Sequence, residues 1–348
     1  MNDKKKLKIG SLFYCRTPLQ LKIVTKLIDI LDLTDSSYLI YHPNKNTKKH
    51  YYYFDSFLSS NKFFIQSDDR YSFTFNESLA YWKLPKKIRK LNFKNIYFAS
   101  LDSIFVSMMV ANNITAKLYI FDDGLLNINQ NDFYQLINYD HPLHKILKKI
   151  LLIPNKFEIL NNVSLHYTIY NTDLSSWMPC KSFKINLFDQ FKNEANDFKN
   201  KKRLRVLLGN AFNHLSDPMT NLHDFLANSE KFDVFIPHPL SDIKFRVSKA
   251  LDGLINEEIM ENLIAEDIIN IIFQNNFDVT VYGFSSSTLL NLSEHVKTVS
   301  ILLHESLNNK LELDIACSLR NAGVRIISDD PDNSHRFSIK QFSRLASY

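Results

Sequence analysis

Glycine, cysteine and tryptophan are all scarce in this chain: six, three and two residues among 348. Cys15, Cys180 and Cys317 are scattered without Cys-x-x-Cys spacing. That argues against structural zinc and for a reducing compartment. Long apolar runs are missing too. No window holds about 18 uninterrupted apolar residues, the length a spanning helix needs. Met1-Asn2-Asp3-Lys4-Lys5-Lys6 is charged but leads into no apolar signal core or small-residue cleavage site, and Leu7 to Phe13 is only of strand length. The expected location is the cytoplasm. The net charge of +5 is too small to point to nucleic acid, and suits a phosphorylated ligand or an anionic membrane surface.

What the chain does have is ordinary globular chemistry, with 45% apolar and 23% charged residues. At 348 residues it is long for one core and suits two domains of roughly 150 to 200 residues. Lys8 to Cys15 reads as a strand, Thr17 as the cap and Pro18 as the first residue of a following helix, and Ser37 to Tyr41 as a second strand. This β-α-β start continues through helix candidates at Tyr51–Leu58, Ala80–Leu91 and Leu101–Ala111, and strands at Asn95–Ala99, Ala116–Phe121 and Ser164–Tyr170. A polar stretch, Asp189 to Lys202, reads as a linker, after which the pattern restarts. Strands are expected at Arg203–Leu208, Val234–Ile236, Asp278–Tyr282, Thr298–Leu303 and Val324–Ile327, with helices at Met219–Leu226, Leu254–Asn275 and Leu311–Asn321. The α/β reading is therefore two facing Rossmann-like domains. The expected boundaries are 1–190 for an acceptor-side domain, 200–332 for a donor domain, and 333–348 for a closing helix.

Four of the six glycines (Gly10, Gly124, Gly209 and Gly283) fall in or just past expected strands, beside polar residues. A chain so sparing of glycine keeps it where backbone turns tightly or approaches a ligand. The segments they mark carry the chemistry. Val234-Phe235-Ile236-Pro237-His238-Pro239 ends a strand in a proline-flanked histidine, at the edge where open α/β sheets bind ligands. Gly209-Asn210 leads into a polar loop that carries Asp217. Gly283 precedes Ser285-Ser286-Ser287, a hydroxyl cluster at a strand-to-helix junction that suits a phosphate. The plain alternatives are a loop histidine and simple helix capping. Asp122-Asp123-Gly124 offers paired carboxylates for a general base, or a turn with glycine in the left-handed region. Asp329-Asp330-Pro331-Asp332 reads as a turn.

In their order, Thr17-Pro18, Asp122-Asp123-Gly124, Gly209 to Asp217, His238-Pro239 and Ser285 to Ser287 resemble bacterial glycosyltransferase family 52, the lipooligosaccharide sialyltransferases. The resemblance spans Tyr14 to about Leu292. It implies a GT-B fold with a cleft between the two domains. It also implies inverting, metal-independent transfer of sialic acid from CMP-sialic acid, with no other cofactor, to a terminal galactose. On that resemblance His238 contacts the donor phosphate and serves as acid to departing CMP, with Ser285 and Ser286 on the same phosphate. The base is Asp217, 21 residues before His238, or one of Asp122 and Asp123. The remaining donor-side positions are Gly209, Asn210, Pro237, Pro239, Gly283 and Ser287; Thr17, Pro18 and Gly124 fall on the acceptor side. A homodimer is compatible with the resemblance. The competing readings are a hexosyltransferase on the same scaffold and a non-catalytic envelope-biosynthesis protein. One more segment belongs here: His141 to Ile153 is basic and amphipathic, either a solvated helix on a core or a surface helix that touches anionic lipid.

Overall fold

The computed structural model describes residues 9–59, 61–67, 73–122, 124, 138, 142–171, 173, 176–188, 202–209, 232–238, 245–247, 260–275, 277–284, 286–302 and 310–328. The chain divides into two compact units, Met1–Leu187 and Phe188–Tyr348. The expected linker at 189–202 (except Lys202), the helix at 219–226, the closing helix at 333–348, and the turn at 329–332 lie outside the described residues. No helix among the described residues is long and apolar enough to cross a membrane.

The first unit is built on seven parallel strands: β1 (Ile9–Cys15), β2 (Ser37–Tyr41), β3 (Lys62–Phe64), β4 (Phe93–Phe98), β5 (Lys117–Phe121), β6 (Val163–Thr168) and β7 (Ser182–Lys184), in the order β3-β2-β1-β4-β5-β6-β7. Chain order runs outward in both directions from the β1–β4 pair, so this sheet is doubly wound, as expected. Alternation along the strands gives it two different faces. Leu12, Tyr14, Ile96, Phe98, Leu118 and Ile120 face one side and join a buried cluster with α3 (Phe73–Lys83), α5 (Ile104–Ala111) and α7 (Lys156–Asn161). On the other side Phe13, Tyr97 and Tyr119 stack across β1, β4 and β5 at 4.5 and 4.6 Å between rings. The register sets these rings level, so the offset stacking that aromatic pairs favour follows from strand pairing.

Helix ends follow local chemistry. Thr17 accepts a hydrogen bond from the Gln20 amide at 3.2 Å, and Pro18 opens α1 (Pro18–Ile30). Asn155 and Glu158 form a reciprocal capping box at the start of α7. The single helix expected over Ala80–Leu91 is two: α3 ends at Lys83, and Pro85 caps a short α4 (Lys86–Arg89). Proline lacks the amide that a continuing helix needs, and it drives the preceding residue out of the helical region. The helix expected from Tyr51 begins three residues earlier, as α2 (Lys48–Ser56). The basic segment forms α6 (Pro142–Leu151).

The second unit repeats the plan with β8 (Lys202–Leu208), β9 (Val234–Ile236), β10 (Arg246–Val247), β11 (Phe277–Gly283), β12 (Lys297–Leu302) and β13 (Arg325–Ser328), in the order β10-β9-β8-β11-β12-β13. All pairs are parallel except the edge strand β10, which runs antiparallel to β9. Helices α8 (Ala265–Gln274), α9 (Ser287–Leu292) and α10 (Lys310–Asn321) complete the described part. The helix expected from Leu254 is broken by a turn at 261–262, between helical Met260 and α8, with 251–259 outside the described residues.

Candidate active site

The second sheet brings three of the sequence-marked segments to one edge. Leu208 is level with Ile236 across β8 and β9, and Leu207 is level with Tyr282 across β8 and β11. The chain therefore leaves the sheet side by side at Gly209, Pro237 and Phe284. These are the carboxyl ends of adjacent parallel strands, and β8 and β11 flank the point where the strand order reverses. Such a point leaves a crevice for a ligand.

Burial fixes the middle segment. Val234 and Phe235 are fully buried and Ile236 nearly so. The Gly209 amide donates to the Ile236 carbonyl at 2.8 Å, tying the end of β8 to the end of β9. Pro237 and His238 emerge half-buried at that edge. An imidazole there is held by its strand and still meets solvent, which suits proton donation to a phosphate. On the neighbouring strand Gly283 allows close approach. A side chain there would bring its Cβ to 3.3 Å from the Leu208 Cβ and 3.4 Å from Leu289 Cδ1. Ser286 then caps α9, accepting from the Thr288 amide at 3.2 Å. That bond uses an oxygen lone pair and leaves the hydroxyl proton to donate. Ser287, half-buried, is the first helical residue. Asn210, Asp217, Pro239 and Ser285 lie outside the described residues.

The acidic segment sits at the edge of the other sheet, in the first unit. Asp122 follows β5 and is fully buried. Its Oδ1 meets His166 Nε2 at 2.8 Å, and its Oδ2 accepts from the Thr168 hydroxyl at 2.9 Å and the Ile169 amide at 2.6 Å. His166, itself fully buried, meets the Ser182 hydroxyl through Nδ1 at 3.2 Å. With Nε2 protonated, the imidazole donates to Asp122 and accepts from Ser182. A polar chain thus clasps the ends of β5, β6 and β7. Gly124 takes φ of +66°, the left-handed turn expected after the carboxylate pair. Asp123 lies outside the described residues. Thr17 and Pro18 are occupied with starting α1.

Sequence reasoning missed the polar cluster beside Thr17. Arg16, Asn44 and Asp102 come together from the loops after β1, β2 and β4, over a buried Glu77. Their positions just past strand ends were the available signal.

Comparison with known proteins follows the same lines. The N-acetyllactosaminide alpha-2,3-sialyltransferase of Haemophilus influenzae (strain ATCC 51907 / DSM 11121 / KW20 / Rd) is 23% identical over 315 residues, 82% of this chain and 89% of its own length. The structure of Phytolacca americana UGT2 complexed with UDP-2fluoro-glucose and pterostilbene matches with a TM-score of 0.50 at 9% identity, covering 97% of this chain and 89% of that one. The shared fold is GT-B, two Rossmann-like domains in one chain. The sequence model of Glycosyltransferase family 52 matches residues 34–307, well over half the chain. The chain belongs to glycosyltransferase family 52 and is a glycosyltransferase.

Proposed function

We propose that the protein is an inverting, metal-independent sialyltransferase that moves sialic acid from CMP-sialic acid to a terminal galactose of a bacterial surface glycan. The observation that carries this reading is the alignment of Gly209, His238 and Ser286 on three adjacent strand ends of the second sheet. Family membership and the name of the Haemophilus relative add the sugar class. In the proposed step the acceptor hydroxyl oxygen bonds to the anomeric carbon as the bond to the CMP phosphate breaks. The base takes the hydroxyl proton, and His238 gives its proton to the departing phosphate oxygen. Hydroxyl donors from Ser285 and Ser286 share the developing negative charge. We assign the base to Asp217. Asp122 is fully buried, and its carboxylate already accepts three hydrogen bonds, so an acceptor hydroxyl cannot approach it.

The test is a donor screen by CMP or nucleotide release with a lactose-type acceptor. Turnover of CMP-sialic acid, unaffected by EDTA, is expected. Turnover of a UDP- or GDP-sugar instead would move the protein to the hexosyltransferases, and loss of activity in EDTA would remove metal independence.

We also propose peripheral contact with an anionic membrane surface through α6. Ile146, Ile150 and Leu152 are 56, 70 and 88% exposed, and Ile114, on the same groove as Leu152, is 86% exposed. Exposed Lys145 and Lys149 flank them, and the helix has no acidic residue. Apolar side chains rimmed by lysine match the boundary between lipid headgroups and acyl chains. Sedimentation with phosphatidylglycerol vesicles should pull down the protein at low salt. Ile146→Asp with Ile150→Asp should abolish this, and equal binding to phosphatidylcholine would contradict the electrostatic part.

A further inference from the structure

Resting on the membrane contact proposed above for α6, we propose that the groove between α5, α6 and α7 binds a single anionic phospholipid, with an acyl chain along its floor and the phosphate at its lysine rim. The groove lies at the amino ends of β5 and β6, the opposite edge of the first sheet from Asp122 and Thr17. Its volume is about 830 Å³, within the range of pockets that hold small organic ligands. Buried Val110, Leu118, Ile153 and Ile159 form the floor. Lys117, Lys148 and Lys149 line it beside one acid, Glu158. That carboxylate is engaged, accepting from the Asn155 amide at 2.9 Å in the capping box of α7. An apolar floor under a positive rim complements a ligand with an aliphatic tail and a negative head.

The rim carries a second sign of a partner. Leu152 directly follows α6 with φ of +50°, in the left-handed region. The Ile153 amide donates to the Lys148 carbonyl at 3.1 Å, so Leu152 holds the helix-ending position where glycine is usual. A branched side chain is strained in that backbone, and glycine would relieve it. The leucine gains nothing from burial in return, since it stands almost fully in solvent. Ile114, on the turn between α5 and β5, lines the same groove and is as exposed. Two large aliphatic side chains thus meet water at the mouth of an apolar groove, one of them against its backbone preference. An acyl chain entering the groove past them would cover both. Exposed apolar patches rimmed by polar residues mark contact sites, and backbone strain collects where ligands are clamped.

The probe is dihexanoyl-phosphatidylglycerol below its micelle concentration, a lipid that presents no membrane surface. Its binding to the full chain is measured by titration calorimetry, beside dihexanoyl-phosphatidylcholine and glycerol phosphate. The proposal predicts saturable binding of the phosphatidylglycerol, about fivefold or more tighter than the phosphatidylcholine, the contribution of one lysine. Glycerol phosphate, without acyl chains, should not bind. Leu152→Gly should melt about 2 °C higher than wild type as strain is relieved, yet bind the lipid about tenfold more weakly. A leucine that served only to end the helix would give the same higher melting temperature with unchanged lipid binding, and that result overturns the site. Lys117→Glu with Lys149→Glu should remove the preference for phosphatidylglycerol, and keeps the test readable if Leu152→Gly unfolds. Equal affinity of wild type for both lipids, binding of neither, or glycerol phosphate bound as tightly as the lipid also overturns it. The two readings fail separately. Sedimentation with phosphatidylglycerol vesicles without binding of the monomeric lipid keeps the α6 contact and removes the groove site. Monomeric lipid bound in a Leu152-sensitive way without vesicle sedimentation does the reverse.

Discussion

Asp122 and His238 both stand just past the end of a strand, yet one is fully buried and the other half-open to solvent. Asp122→Ala would leave the Ile169 amide, the Thr168 hydroxyl and His166 without their acceptor. The expected cost is about 3 kcal/mol of stability, read by urea unfolding. Asp217→Asn should instead keep stability and lose about 10²–10⁴-fold in turnover. A stable, inactive Asp122→Ala protein would reverse these roles. Glu77 makes a second prediction at this scale. Burial raises its pKa from 4.5 to about 7, the Arg16 charge opposes this, and Asp102 adds to it. A carboxyl raised in the folded state holds its proton there more tightly than in the unfolded chain. Its contribution is therefore full below about pH 4.5 and lost as pH rises through about 7. Glu77→Gln should flatten this part of the pH profile and stabilise the protein at pH 8 by about 2–3 kcal/mol. Buried His42 has the opposite sign. Burial lowers it to about 3, with Arg16 and Lys83 adding to the effect. It removes stability as pH falls below about 6.5, so the Glu77 effect reads most cleanly above that.

Elements were legible where pattern and breakers agreed. The strand ending at His238 was readable because three apolar residues meet a proline, and the start of α1 because Thr17-Pro18 is a capping pair. Strands β3 and β7, of three residues each, and β10, of two, were not. Segments that short on a sheet edge carry no alternation, and only pairing with a formed neighbour makes them strands. The split at Pro85 was foreshadowed by the proline itself. Gly10 shows a constraint invisible in sequence. It lies within β1, and a Cβ there would sit 1.7 Å from the Ser36 carbonyl oxygen, so backbone from the turn before β2 occupies the space. Gly10→Ala should cost about 3 kcal/mol or more, measured by chemical denaturation. A near-neutral result would mean that the turn shifts freely.

At the scale of the whole molecule, the two-sheet plan was legible because the strand–polar loop–helix pattern restarts after the linker. The gathering of Gly209, His238 and Ser286 at strand ends was legible because rare glycines and prolines mark those ends. The Arg16, Asn44, Asp102 and Glu77 cluster was not, since strand order rather than sequence spacing brings loops 28 and 86 residues apart together. The engagement of Asp122 was unreadable for a related reason. Asp122 looks like a base in sequence, and only the packing of β6 against β5 shows its oxygens engaged. The central claim is that the edge bearing Gly209, His238 and Ser286 binds and activates CMP-sialic acid. The measurement that tests it most directly is CMP release by wild type and His238→Ala, with a lactose-type acceptor and circular dichroism as the control for folding. The account predicts turnover by wild type and a loss of about 10²–10⁴-fold in a folded His238→Ala protein. Wild-type-like release by that variant would contradict it.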